Sequence, residues 1–428
     1  MRQRSLLLLG AFVIAIALNQ NVFAASVDLS LDESISLALQ NNYDVKYANS
    51  SREKYYWAFK EAQNSKGVAV SYVHSDERYN TPPTYYSPTY TYTTDFDNAF
   101  TFSLPIYSGG KLEDKVEQAK LDLKVADLDI ELAKQQIRET VITDYFTVLE
   151  YREEAKVDQE TVNNYVDHLN LVKQKFDLGL VAKTEVLSSQ VNLAKAQDSL
   201  IKAQNNYNNA VAALNNAIGL PHDTEVNLKD DFSRQLYPLV LEECMQKAVS
   251  QRPEMAQYAA KGTSAQYDVK IAKSGYLPTV DLTAEQDWYD THLVGTKNNN
   301  WLIKLTTSLN VFDSGVTNAK VQQAKHNADM ISAKASQERD AILLDVRQYY
   351  LSMNEAEKRI ETNQVSVNQA EENLMIEKAK YQVGVTTNLD ILDAVLALDS
   401  AKKDYIQAVY DFNTYRAKLD EAIGLAVK

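Results

Sequence analysis

The sequence predicts a mainly α chain with a small β part, built as two tandem repeats, each a strand pair followed by a long antiparallel helical hairpin. Three observations predict it. Ser103 to Gly110 (SLPIYSGG) matches Ser308 to Gly315 (SLNVFDSG), Lys175 to Leu180 (KFDLGL) matches Lys380 to Val385 (KYQVGV), and Ala217 to Leu220 matches Ala422 to Leu425, all at a shift of 205 positions. Glycine at 12 and proline at 8 are sparse for 428 residues, and few turns mean long elements. Short stretches of strict apolar alternation precede long stretches of helical periodicity, once in each half.

Residues 1–24 read as a secretory signal. Arg2 and Arg4 precede an apolar run from Leu6 to Leu18, and Val22-Phe23-Ala24 puts small residues where cleavage is determined, so cleavage is expected after Ala24. Beyond it no apolar run reaches the roughly 18 residues of a membrane-spanning helix. Any passage through a membrane must therefore use strands. Losing Arg2 and Arg4 removes two positive charges and takes the formal charge from -14 to -16, which argues against nucleic acid as a partner. Cys244 is the sole cysteine, so an internal disulfide is excluded. There is no HExxH, paired CxxC, Walker-type glycine loop or GxSxG, and the five His are scattered, so neither an enzyme nor a metal or cofactor signature is present.

The first repeat is expected over 25–220, a linker over 221–240, and the second repeat over 241–428. Leu31 to Ala38 matches Leu241 to Ala248 at a shift of 210, so the first half holds five extra residues, which must lie in its strand pair or loop. Strands are expected at 67–76 and 97–107. Val68, Val70 and Tyr72 alternate in the first, and Phe100, Phe102, Leu104 and Ile106 alternate with Thr101, Ser103 and Pro105 in the second. Their counterparts are expected at 278–289, through Val280, Leu282, Ala284 and Trp288, and at 300–312, through Trp301, Ile303, Leu305, Leu309 and Val311. Strands with one apolar face suit a membrane barrel, but single-chain barrels begin at about eight strands, so several subunits must contribute.

Helical hairpins are expected at 110–219 and 315–424. Lys111 to Leu178 contains neither Gly nor Pro, and Val116, Ala119, Leu123, Ala126, Ile130, Ala133 and Ile137 form a coiled-coil seam beside a second one through Leu121, Val125, Leu128 and Leu132. Two seams let the helix pack on both sides, as a closed cylinder of helices requires. The turns fall at Gly179 and Gly384, where a left-handed residue ends a helix. The returning arms are about half as long, so the segments 31–64 and 241–274 are expected to continue each row. On helices alone, an elongated structural coiled coil outside any membrane is the competing reading.

The pattern resembles the TolC family of outer-membrane efflux and secretion channels over essentially the whole mature chain. The most specific match is Tyr381-Gln-Val-Gly-Val-Thr-Thr-Asn-Leu-Asp-Ile-Leu-Asp393, which is similar to that family's second periplasmic tip. The resemblance implies a homotrimer whose four strands per chain make a shared 12-stranded barrel in outer-membrane lipid, above a tunnel of helices in the periplasm. It also implies a periplasmic adaptor and an inner-membrane ABC, RND or MFS-type transporter. By position, Asp390 and Asp393 match the acidic constriction that selects cations. Glu185, Tyr381, Thr184 and Thr386 match the entrance latch, with Thr386 standing where the family has an arginine. The tip turns that meet the adaptor would comprise Gly179, Leu180, Val181, Gly384, Val385 and Thr387. The residues also admit simpler roles: Thr387 and Asp390 fit a capping box, and Thr184 a helix N-cap. The first tip, with Lys183 and Glu185, lacks the Asp pair, which points to gating and filtering concentrated on the second repeat.

Overall fold

The structure, a computed structural model, describes residues 27–233 and 237–425; the expected cleavage site lies outside them. In chain order it comprises β1 (Val27–Leu29), α1 (Leu31–Asn41), α2 (Tyr43–Asn64), β2 (Ala69–Thr81), β3 (Thr91–Tyr107), α3 (Lys111–Asp177), α4 (Lys183–Ile218) and β4 (Val226–Leu228). The second repeat follows with α5 (Leu241–Gln251), α6 (Pro253–Lys273), β5 (Thr279–Asp290), β6 (Asn298–Ser308), α7 (Val316–Gln382) and α8 (Asn388–Ala422). The chain is mainly α, with a small sheet and two repeats. No described helix is long and apolar enough to cross a membrane.

β2, β3, β5 and β6 form one antiparallel sheet in that order, and a parallel pair, β1 with β4, joins the ends of the first repeat. The register carries the apolar face straight across: Tyr72 pairs with Phe100, Phe102 with Ala284, and Ala284 with Ile303. Tyr72 and Phe100 rings sit 4.9 Å apart, and Phe100 meets Trp288 edge-on at 6.2 Å. The opposite face is polar, with Ser71 beside Thr101 and Thr101 beside Glu285. β6 ends earlier than the alternation suggested. Thr279 pairs with Ser308, and the preceding Pro278 has no N–H with which to extend the ladder, so Leu309 and Val311 stand beyond the strand and exposed.

The segments 31–64 and 241–274 are each broken in two. Asn42 adopts an extended backbone and its side chain caps α2 by accepting from the Asp44 N–H. In the second repeat Arg252 is extended because Pro253 follows it, and that proline opens α6 at its first position. Each break abuts the end of a returning arm. A Cβ on Gly219 would lie 2.6 Å from the Asn41 Cβ, and one on Gly424 would lie 2.9 Å from the Arg252 backbone nitrogen. The duplication is thus also a repeated close approach.

α3 and α7 each span 67 residues, about 100 Å at 1.5 Å per residue. Within each hairpin the packing is apolar. Val141, Tyr145 and Leu149 of α3 pack with Leu214 and Ile218 of α4, and Val346 and Met353 of α7 pack with Phe412 and Leu419 of α8. Toward the sheet the helices lie in the order α2, α3, α6, α7, and toward the tips in the order α4, α3, α8, α7. Apolar side chains remain exposed on the outer elements of both rows: Tyr47 and Trp57 on α2, Val191 and Ile201 on α4, and Met330 and Met375 on α7.

Gly219→Ala should destabilise the chain by about 1–3 kcal/mol, since it adds an overlap with Asn41 to the strain of a positive φ. Gly179→Ala, with nothing within 4 Å of its Cβ, carries the φ strain alone at about 1 kcal/mol. Thermal unfolding followed by circular dichroism should rank them so; equal losses would contradict the close-approach argument.

Candidate functional site at the hairpin tips

Both tips are glycine turns of one design. Gly179 and Gly384 sit at φ 74° and 79°, and the residue after each donates its N–H five residues back: Leu180 to the Lys175 carbonyl at 2.8 Å and Val385 to the Lys380 carbonyl at 2.9 Å. This presents Leu180 and Val385 outward, exposed, beside Leu178 and Val383. Val181 instead packs partly buried against the cluster formed by Val162, Tyr165, Val172, Leu374, Ile391 and Val395, which spans both hairpins.

The returning arms begin differently. α4 starts behind Ala182, which offers no side-chain cap, and Thr184 lies exposed in its first turn rather than at the cap position. α8 starts with a capping box, in which the Thr387 hydroxyl accepts from the Asp390 N–H and the Asp390 carboxylate accepts from the Thr387 N–H at 2.8 Å. The same carboxylate oxygen accepts from the hydroxyls of Thr386 at 2.8 Å and Thr387 at 2.6 Å. These bonds, Thr387's first, hold the Asp390 carboxyl down at about 2, so it stays ionised at every ordinary pH. Asp393, one turn on, is exposed on the same side of α8.

Tyr381 ties the hairpins together. Its ring is buried, 3% exposed, and its hydroxyl lies 3.5 Å from Glu185 Oε2, at the long limit for a hydrogen bond. Burial, reinforced by the Glu185 charge, pushes the phenol up to about 12 and keeps it a donor. Lys175 of α3 donates to the Tyr381 carbonyl and lies 4.2 Å from the ring centroid. Thr386 does not bridge to Thr184. Its hydroxyl turns to Glu377 Oε2 at 2.8 Å and to Asp390, both in its own hairpin. Thr184, Glu185, Tyr381 and Thr386 nevertheless line one cleft of about 770 Å³ between the tips. No described group of three or more His, Cys, Asp or Glu is arranged to hold a metal ion.

Residues 34–220 and 244–425 match the model of a family described as outer membrane efflux protein. The chain belongs to the outer membrane efflux protein family. It is similar to Outer membrane protein TolC of Escherichia coli, 24% identical over 315 residues, a match that takes in 70% of this chain and 64% of that protein. It is also similar to the Alkaline protease secretion protein AprF of Pseudomonas aeruginosa, 25% identical over 291 residues, 67% of this chain and 60% of that one. The chain therefore matches under two thirds of the length of these relatives. Among solved structures, the Campylobacter jejuni CmeC outer membrane channel superposes with a TM-score of 0.83 at 20% identity, covering 92% of this chain and 85% of that chain. The open state of the Neisseria gonorrhoeae MtrE channel gives 0.77 at 18%, covering 92% and 88%. At these identities the likeness establishes the fold of the family.

Three residues of the tip escaped sequence reasoning. His168 Nε2 lies 2.5 Å from Asn388 Oδ1, and the Ser189 hydroxyl donates to the same oxygen at 3.2 Å. Their only sequence signal is weak: His168 falls three and four residues from Tyr165 and Val172 on an apolar stripe, where a polar side chain needs a partner.

Because Asp390 has a carboxyl depressed below its ordinary 3.8, the cap it makes is fully present above that value and is lost as pH falls toward about 2. The Asp390 carboxyl, followed by its carbon-13 resonance, should not titrate down to pH 4 and should move only below about pH 3. Asp390→Ala should speed hydrogen exchange at the start of α8 at neutral pH. An Asp390 carboxyl that titrates near pH 5 would contradict it.

Proposed function

We propose that three copies of this chain form a passive outer-membrane exit duct for efflux or type I secretion, with no chemistry of its own. One observation carries the reading: the sheet has one apolar face and two outer edges, on β2 and β6, that have no strand beside them among the described residues. Lipid tolerates neither edge, since unpaired backbone groups there cost several kcal/mol each. Joining the β6 edge of one copy to the β2 edge of the next, three times over, closes a barrel of twelve strands from four per chain. The polar face then lines the lumen. The helical rows meet in the same way, α2 and α4 of one copy covering the α7 flank of the next, which accounts for the exposed apolar side chains on those three helices.

In this reading the helices make a periplasmic tunnel whose tips face an adaptor and an inner-membrane transporter of the ABC, RND or MFS type. Leu180 and Val385 offer exposed apolar contacts to the adaptor. Tyr381 with Glu185 holds the entrance closed. Asp390 and Asp393 ring the axis with six carboxylates; Asp390 is fixed by its cap and Asp393 is free to meet a passing cation. Cargo is set by the energised partner. The similar proteins carry names as different as alkaline protease secretion and pyoverdine export.

Two measurements test this. The purified chain should migrate as a trimer only in detergent; a detergent-independent soluble monomer would sink the duct. In planar bilayers the trimer should conduct with cation selectivity, and Asp390→Ala with Asp393→Ala should abolish it, while Asp393→Asn alone should remove most of it without unfolding α8. Selectivity unchanged in the double variant would remove the ring from the proposal.

A further inference from the structure

A second contact joins the hairpins at the tip, beside the tyrosine contact and made by other hydrogen bonds. His168, Ser189 and Asn388 are 4%, 1% and 7% exposed, and they come from α3, α4 and α8. One oxygen, Asn388 Oδ1, takes both bonds, from His168 at 2.5 Å and from the Ser189 hydroxyl at 3.2 Å. Since that oxygen can only accept, the imidazole must carry its proton on Nε2, and both arms of the first hairpin donate to the first residue of α8. We propose that this node is a closing pin released by acid: it locks the start of α8 to the first hairpin, and a proton on His168 favours the parted state.

The surroundings of the ring set the direction. Among the charged groups, Lys175 on its own helix and Lys378 on α7 oppose a positive imidazole, and Glu185 on α4 favours one. That carboxylate already receives the Tyr381 hydroxyl. Tyr381 covers the imidazole with its ring 5.1 Å away, and Asn388, the partner on α8, is neutral. Burial first, and then the two ammoniums, hold the imidazolium below its ordinary range, with the Asn388 bond opposing them. When α8 moves off, the ring meets water and regains an ordinary histidine basicity near 6.5. The parted state therefore binds the proton more tightly, and lowering the pH through that value shifts the population toward it. A neutral tip stays pinned.

This inference rests on the channel reading, so its test uses two readouts on the full-length trimer. The first is open probability in planar bilayers, and the second is hydrogen exchange at 388–392 in detergent, corrected for intrinsic rates. Between about pH 7.5 and 5.5, wild-type open probability and exchange should both rise by at least about threefold. His168→Gln, which keeps a donor and loses the titration, should flatten both profiles and stay closed. His168→Ala and Asn388→Ala, each checked for intact trimers, should be more open than wild type at pH 7.5. A flat wild-type profile in exchange, or a His168→Gln profile with the wild-type slope, overturns the pin. Trimers that never conduct but show the pH-dependent exchange would uphold the pin and overturn the duct.

Discussion

The outer edges of β2 and β6 leave two rows of backbone N–H and C=O groups with no strand to receive them within the described chain. Much of the remaining architecture is arranged around that incompleteness. The sheet is apolar on one face, so water is a poor home for it, and open at both ends, so lipid is worse. The helical rows repeat the same incompleteness by other means, with apolar side chains left uncovered on α2, α4 and α7. In the proposed trimer one rotation would complete both flanks.

The packing inside the chain is not uniform, and the difference bears on motion. Each hairpin is zipped by aliphatic and aromatic side chains. The seam between hairpins, where α3 faces α8, is polar over a long stretch: Thr147 meets the Tyr410 hydroxyl at 3.4 Å, Asp158 pairs with Lys403 at 2.6 Å, and Thr161 donates to Asp399 at 2.9 Å. Glu150 is buried in this stretch, and burial, with Glu154 and Asp411 adding repulsion, pushes its carboxyl up to about 8. Interdigitated apolar packing resists sliding, whereas directional polar contacts can be exchanged for water one at a time. The α3 to α8 seam is therefore held mainly by contacts that water can replace, and the hairpins themselves by contacts that it cannot. Near the tips an apolar cluster bridges them, and there Tyr381, Lys175 and His168 add their hydrogen bonds.

The duplication, the strand pairs and the long hairpins were legible in the sequence because each rests on a periodicity or a glycine, signals that short stretches of chain carry by themselves. The breaks at Asn42 and Arg252 were harder. Pro253 marks the second, but the first depends on an asparagine whose side chain both caps α2 and donates to the Ala217 carbonyl at 3.1 Å, a contact 175 positions away. The premature end of β6 has a similar cause, since it is set by Pro278, just before the partner strand. At the tip, motif resemblance located the cleft, but it carried no information about which way Thr386 would turn. Thr386 bonds Glu377 and Asp390, both carboxylates of its own hairpin. His168 was invisible for the complementary reason: its partners lie on other helices.

The two repeats differ most where their function is proposed to lie, and the difference begins with helix capping. α4 and α8 both start just after a glycine turn, where orphan N–H groups favour a negative charge. In α4 the N-cap is Ala182, and the first-turn acid, Glu185, is left to reach across to Tyr381. In α8 the cap is Thr387, and the first-turn acid, Asp390, is consumed by the cap itself. The same local requirement for an acid has thus been met once in a way that frees the carboxylate for the facing hairpin, and once in a way that fixes it in place. A fixed carboxylate held ionised near the surface suits a permanent ring of charge, and a carboxylate on a long, weak bond suits a contact meant to break. Asymmetry at the tips follows from that choice, on helices of nearly equal length, 36 and 35 residues.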